Sequence, residues 1–232
     1  PPARKNFHVC SLLAMRSGTI VQFVAATHLP AAFWVLFAGT LLNRLGSVVL
    51  PVLSIYLVSR RQIPPATAGL VVSGFGLGAM LAGFVGGYLA DRLGRRPTLL
   101  VALTLGAAAM IGVGLAEALP WIFVSVFALG LFGEMYRPAV SAALADLVPS
   151  EQRTLAFGYL HWGINLGFSI AAIAAGWIVE HDFRLLFWLD AATTLAFAAL
   201  VWWRLPETRP QDLPPRQLEN PFVALADGTF AL

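Results

Sequence analysis

This chain has a single cysteine, Cys10. An internal disulfide and a cysteine-based metal cluster are therefore excluded. Charge is also scarce, at 12% of 232 residues, where soluble domains carry about twice that share. With 58% hydrophobic residues, the chain lacks the polar surface to cover a globule in water, so lipid is the expected solvent. The formal net charge of +3 is too small to mark a nucleic-acid footprint, and no nucleic-acid partner is expected. No His-Glu-x-x-His pair, Ser-centred glycine elbow or cluster of metal ligands occurs. An enzyme, a catalytic residue, a metal and a cofactor are thus all unexpected. Alternating apolar and polar residues are missing too, which argues against strands.

What the chain does have is long apolar runs. A helix needs about 20 apolar residues to cross the hydrocarbon core. Six runs qualify: 31–58, 66–90, 98–116, 121–145, 155–179 and 185–203. Short separators rich in Pro, Arg and acidic residues stand between them. The expected fold is all-α, a polytopic membrane helical bundle of six transmembrane helices. Residues 1–30 read as a cytoplasmic or interfacial leader, with Met15 an alternative start, and 31–204 as the transmembrane domain. Residues 205–232 carry Pro206, Pro210, Pro214 and Pro215 among charges and read as a cytoplasmic linker. Its Asn220-Pro221-Phe222 stretch resembles the approach to a further helix, which suggests a fragment.

The turn between the second and third runs is the most telling segment. Asp91, Arg92, Arg95 and Arg96 lie in a gap that lipid forces to the membrane surface. With the N-terminus inside, the inner loops hold Arg92, Arg95, Arg96, Arg153, Arg204, Arg209 and Arg216, and the outer loops Arg60, Arg61 and Arg184. This bias puts both termini in the cytoplasm, with Arg60 and Arg61 as an exception. The chain also repeats itself. Gly74, Leu77, Gly78 and Gly87 recur 89 positions later as Gly163, Leu166, Gly167 and Gly176, and Pro51 and Ser54 recur as Pro138 and Ser141. An odd number of crossings separates the copies, as in two inverted three-helix repeats. Chance similarity between Gly-rich helices is the alternative.

Gly87, Leu89, Ala90, Asp91, Arg92, Gly94, Arg95 and Arg96 match the loop signature G-x-L-A-D-R-x-G-R-R/K, and the segment resembles the major facilitator superfamily. Pro206-Glu207-Thr208 resembles that family's ending of its N-terminal half. The resemblance spans about residues 31–232, the first six helices of the family's usual twelve, and is closest to the bacterial drug:proton antiporter branch. It implies a multi-pass protein of the inner (plasma) membrane and a secondary active transporter of small molecules working by alternating access. Drug or metabolite efflux, antiport and proton coupling are activities of that branch. The missing C-terminal six-helix half would be the partner. A non-transporting six-helix scaffold, or a truncated inactive half, is the alternative.

The same resemblance makes Gly87, Asp91, Arg92, Gly94, Arg95, Arg96 and Asp146 a conformational-switch loop, with Asp91, Arg95 and Asp146 as a charge relay. A positive-inside anchor without switching is the competing role. Gly94 permits the turn, and Gly87, with Gly74-x-x-x-Gly78, Gly83-x-x-x-Gly87 and Gly163-x-x-x-Gly167, suits close helix packing. Arg44, beside Asn43, lies deep in the first run, where a charge must face a cavity or a partner. In the resembled fold its helix and that of Glu134 border the central cavity, so the two are expected to pair. Glu134 is the candidate for protonation, and Arg137 competes for it. A static buried ion pair is equally open. His161 and Asn165 share a helix face, with cargo contact or a packing hydrogen bond as alternatives. Asp190 is expected to cap or pair near the outer surface. Trp34, Phe37, Phe75, Tyr136, Tyr159 and Trp162 are candidates for an aromatic wall. Pro51 and Pro138 are expected to kink their helices. The sequence departs from the antiporter branch at Ala171-Ala172, where Gly-Pro is usual, and lacks the arginine expected early in the fourth helix unless Arg137 substitutes.

Overall fold

Proline and glycine set most of the helix boundaries. Pro65 and Pro120 occupy first-turn positions, where the missing N–H has no helical acceptor to lose. The computed structural model describes residues 29–47, 49–181 and 183–209. The expected leader up to residue 28, and the tail from 210 onward with Arg216 and Asn220, lie outside the described residues.

Among the described residues the helices are α1 (Ala31–Gly46), α2 (Val49–Ser59), α3 (Pro65–Arg92), α4 (Arg95–Leu115), α5 (Leu119–Leu147), α6 (Ser150–His181) and α7 (Phe183–Arg204). Five of them, α3 to α7, are long and apolar enough to cross a membrane. The chain is an all-helical membrane bundle.

The first apolar run differs from expectation, because it is two helices rather than one. Ser47 leaves helical geometry at φ −74° and ψ 56°, and its N–H reaches only to the Arg44 carbonyl at 3.3 Å. Pro51 then falls in the first turn of α2. Where a kink was expected at Pro51, the helix is broken ahead of it. Pro138, by contrast, lies within a continuous α5.

Close packing follows small residues. Gly74, Gly78, Ala82, Gly86 and Ala90 recur every fourth position along α3 and are all buried. A side chain at Gly78 would run into the backbone of Phe127 and Leu131, and one at Gly130 into that of Phe75. The α3 and α5 backbones therefore approach through facing glycines. On α6, Gly163 abuts Phe37 and Gly167 abuts Leu41 and the Arg44 stem. The repeated glycine pairs do equivalent jobs, seating α3 on α5 and α6 on α1. Gly83, Gly87 and Gly176 meet nothing within 4 Å. The Gly83-x-x-x-Gly87 pair is therefore not a packing motif within this bundle, and Gly86 takes that place because it falls on the buried stripe.

Two apolar clusters lie toward opposite ends of the bundle. One gathers Phe33, Leu36, Leu99, Met135, Leu144 and Phe197. The other gathers Leu53, Leu57, Val113, Ile122, Val126 and Phe187. Each of α4, α5 and α7 contributes to both, so the stretches between them mark the middle of the bundle.

Candidate functional site

Two polar sites stand out against this apolar frame. The first is the turn from α3 to α4. Gly94 holds φ at +110°, a region that disfavours side chains. It precedes α4 with no side-chain acceptor of its own, so the first N–H groups of α4 need another partner. Glu207, just past the end of α7, supplies it. Its carboxylate accepts from the backbone N–H of Arg95 at 2.9 Å and of Arg96 at 3.2 Å. It also accepts from Thr208 and Arg209, and Arg209 donates onward to the Arg92 carbonyl at 2.7 Å. A carboxylate there also complements the positive end of the α4 dipole.

The turn brings together Asp91, Arg95 and Asp146. Arg95 is only 9% exposed. Its Nε donates to Asp146 at 2.7 Å, its Nη1 lies 3.4 Å from Asp91, and Nη1 also donates to the Ala90 carbonyl at 2.9 Å. Arg92 lies over the Tyr88 ring. Arg96 lies over Trp202 and donates to its carbonyl at 2.5 Å. Gly87 makes no close approach here, as noted above. Sequence reasoning singled out the arginines and acids, but took Glu207 only as part of the Pro206-Glu207-Thr208 ending and missed its role at the start of α4. The signal was present, since a helix that starts after glycine needs a borrowed acceptor.

The second site is a cavity of about 290 Å³ in the middle of the bundle. Asn43, Arg44, Glu134, Tyr136, Arg137, Asp190 and Thr194 supply its polar lining, and Phe75, Phe132 and Phe168 part of its apolar wall. The expected Arg44–Glu134 pair does not form. Glu134 binds Arg137, one turn along the same helix, at 2.6 Å, and Arg44 donates to the Tyr136 hydroxyl at 2.5 Å. The near neighbour wins because i,i+3 side chains on one helix already meet. Pro138 lacks the N–H that would bond the Glu134 carbonyl, so the helix is locally loosened at the cavity. Gly86 makes room for that proline ring.

Asp190 is also not where the sequence suggested. It is 5% exposed and lines the cavity, because Gly46 of α1 packs directly against its backbone. Asn43 donates to the Thr194 hydroxyl at 2.8 Å, and that hydroxyl lies 3.5 Å from the Asp190 carboxylate. His161 and Asn165 do not line the cavity. Both are exposed, and they bond back to carbonyls of α6, His161 at Phe157 and Asn165 at His161. The face that α6 turns to α1 is that of Gly163 and Gly167, and these two residues lie off it. Of the expected aromatic wall, Phe75 and Tyr136 line the cavity. Trp34, Phe37 and Tyr159 form a separate cluster between α1 and α6, and Trp162 is exposed. Ala171, at the departure from the antiporter branch, is buried in the second apolar cluster.

Comparison with known proteins agrees with this architecture. The chain is 34% identical over 136 residues to an uncharacterized MFS-type transporter, YqjV, of Bacillus subtilis, a match covering 58% of this chain and 33% of that protein. It is 31% identical over 163 residues to the multidrug resistance protein MdtH of Salmonella typhimurium, covering 68% of this chain and 40% of the relative. The match thus spans well under half the length of either relative. Among solved structures, a peptide transporter POT in complex with sulfate superposes with a TM-score of 0.70 at 22% identity, over 87% of this chain and 44% of that one. The human organic anion transporter MFSD10 superposes at 0.62 and 20% identity, over 78% and 49%. These structures show the shared fold. The family model described as Major Facilitator Superfamily matches residues 35–230, and the chain belongs to that family.

Proposed function

We propose that this bundle forms part of a secondary active transporter that moves a small molecule across the inner membrane by alternating access. The observation that carries the reading is the mid-bundle cavity, where Arg44, Glu134, Arg137 and Asp190 face one space inside otherwise apolar helices. Charge at such depth is costly and in membrane proteins marks substrate or ion pathways. Cargo binds between this bundle and a second six-helix half, which rock about it within the bilayer. The relatives named multidrug resistance proteins favour efflux. The domain division at residues 30 and 204, and both termini in the cytoplasm, belong to the same reading.

Glu134 takes the coupling proton. Protonation frees Arg137 from its ion pair and removes a negative charge from the cavity. The Asp91–Arg95–Asp146 set, tied to Glu207, forms the latch that holds one end of the bundle in one of two arrangements. The first test is Glu134→Gln in the full-length protein reconstituted in vesicles. Flux driven by a pH gradient is expected to fall to background, while exchange without a gradient persists. Unchanged pH-driven flux removes Glu134 from the mechanism.

A further inference from the structure

The cavity's charges are unevenly matched. Glu134 and Arg137 satisfy each other at 2.6 Å. Arg44 and Asp190 are left, one cation and one anion on adjacent helices α1 and α7. No ion pair among the described residues joins them to each other or to another charge. The one side-chain hydrogen bond of Arg44 is to the Tyr136 hydroxyl, and its Nε is buried without a partner. Asp190 faces the same space, with only the distant Thr194 hydroxyl at 3.5 Å on its carboxylate. Thr194 is itself held by Asn43, so the carboxylate has a fixed neighbour rather than a mobile one.

Each of these two charges is thus held by neutral partners and left short of a counterion. A ligand that carries both signs would satisfy both at once, and neither an anion nor a cation alone would do so. Phe75, Phe132, Phe168 and Met110 form the apolar side of the same cavity. We infer that the cargo is a small zwitterion with an apolar body, its carboxylate held by Arg44 and its ammonium by Asp190. A guanidinium offers paired N–H donors suited to a carboxylate, and a desolvated carboxylate favours a charged donor over water. This inference rests on the transporter reading for the claim that the cavity takes cargo.

The test uses three probes with one skeleton: phenylalanine, its methyl ester and its N-acetyl derivative. They carry a zwitterion, a cation and an anion respectively. Binding is measured on the full-length protein in lipid nanodiscs, as ligand-induced thermal stabilisation and by isothermal titration. Phenylalanine is expected to bind tighter than either derivative by about tenfold to a hundredfold, the worth of one charge-assisted hydrogen bond. Arg44→Gln is expected to erase the advantage of phenylalanine over the ester, and Asp190→Asn its advantage over the N-acetyl form. Arg44→Lys and Asp190→Glu, which keep the charges, are expected to retain part of each. Equal binding of all three probes to the unsubstituted protein, or no binding of any, overturns the inference whatever the variants do. So does an unchanged ranking in a folded Asp190→Asn protein. No flux enters this readout, so its failure leaves the transporter reading standing. Charge-selective binding without any flux would remove only the transport reading.

Discussion

Gly94 meets two demands that a side chain cannot meet together. Its φ of +110° is strained for any residue with a Cβ, and a Cβ there would stand 2.6 Å from Oε2 of Glu207. Glu207 in turn fills the acceptor role that glycine leaves open at the start of α4. Gly94→Ala is expected to lower the thermal stability of the purified protein by the equivalent of about 1–2 kcal/mol, and Glu207→Ala by about 1 kcal/mol, as for a lost helix cap. The two residues touch, so the double variant should cost less than the sum. Strict additivity in thermal unfolding would show that the carboxylate and the turn are independent. At this same scale the exceptions to the arginine bias find an explanation. Arg61 donates to the Ala116 carbonyl at the C-terminus of α4 and lies over Tyr56, and Arg60 lies over Phe183. Both residues hold local structure, one as a cationic cap on the negative end of a helix dipole.

Helix α3 shows how a single element divides its work between faces. The stripe from Gly74 to Ala90 is pressed against α5, while Gly83 and Gly87 face away with nothing near them. Gly78→Leu is expected to prevent correct packing, because the substituted side chain would enter the α5 backbone at Phe127. Gly83→Ala is expected to be neutral or stabilising within this bundle by up to about 1 kcal/mol, the ordinary helix-propensity gain. Thermal unfolding of both variants in detergent checks the contrast, and equal damage from the two would dismiss the assigned face. This contrast also separates what is legible in the sequence from what is not. The spans were legible because run length is a local property, and the turn signature because its charges are consecutive. The phase of a glycine stripe is not local, since Gly83 and Gly86 differ only in which partner lies opposite. The same holds for the cavity. Glu134 pairs with Arg137 rather than Arg44, and Asp190 faces inward while His161 faces outward, because side-chain direction depends on how α1, α5, α6 and α7 are rotated against one another. The break at Ser47 is a further case. Pro51 was visible, but whether a helix bends at it or parts ahead of it is not a local property of the sequence.

At the scale of the whole molecule, the turns sort into two ends. Arg61 meets Ala116, and Arg60 meets Phe183, which groups the α2–α3, α4–α5 and α6–α7 turns. Arg95 meets Asp146 and the N–H of Arg95 meets Glu207, which groups the α3–α4 turn, the end of α5 and the segment after α7. A bilayer around the helices must therefore separate these two sets. Glu117 lies in the first set and Glu151 in the second, and both are exposed. Placing a cysteine at either site, in a Cys10→Ser background, turns this geometry into a labelling experiment on intact cells. A membrane-impermeant maleimide is expected to modify Glu117→Cys from outside, and Glu151→Cys only after the membrane is opened, because short cytoplasmic loops carry the arginine excess. Labelling of both from the same side would contradict the six-crossing bundle itself. The reverse pattern would keep the bundle and overturn only its orientation, placing the Glu207-tied turn on the outer face.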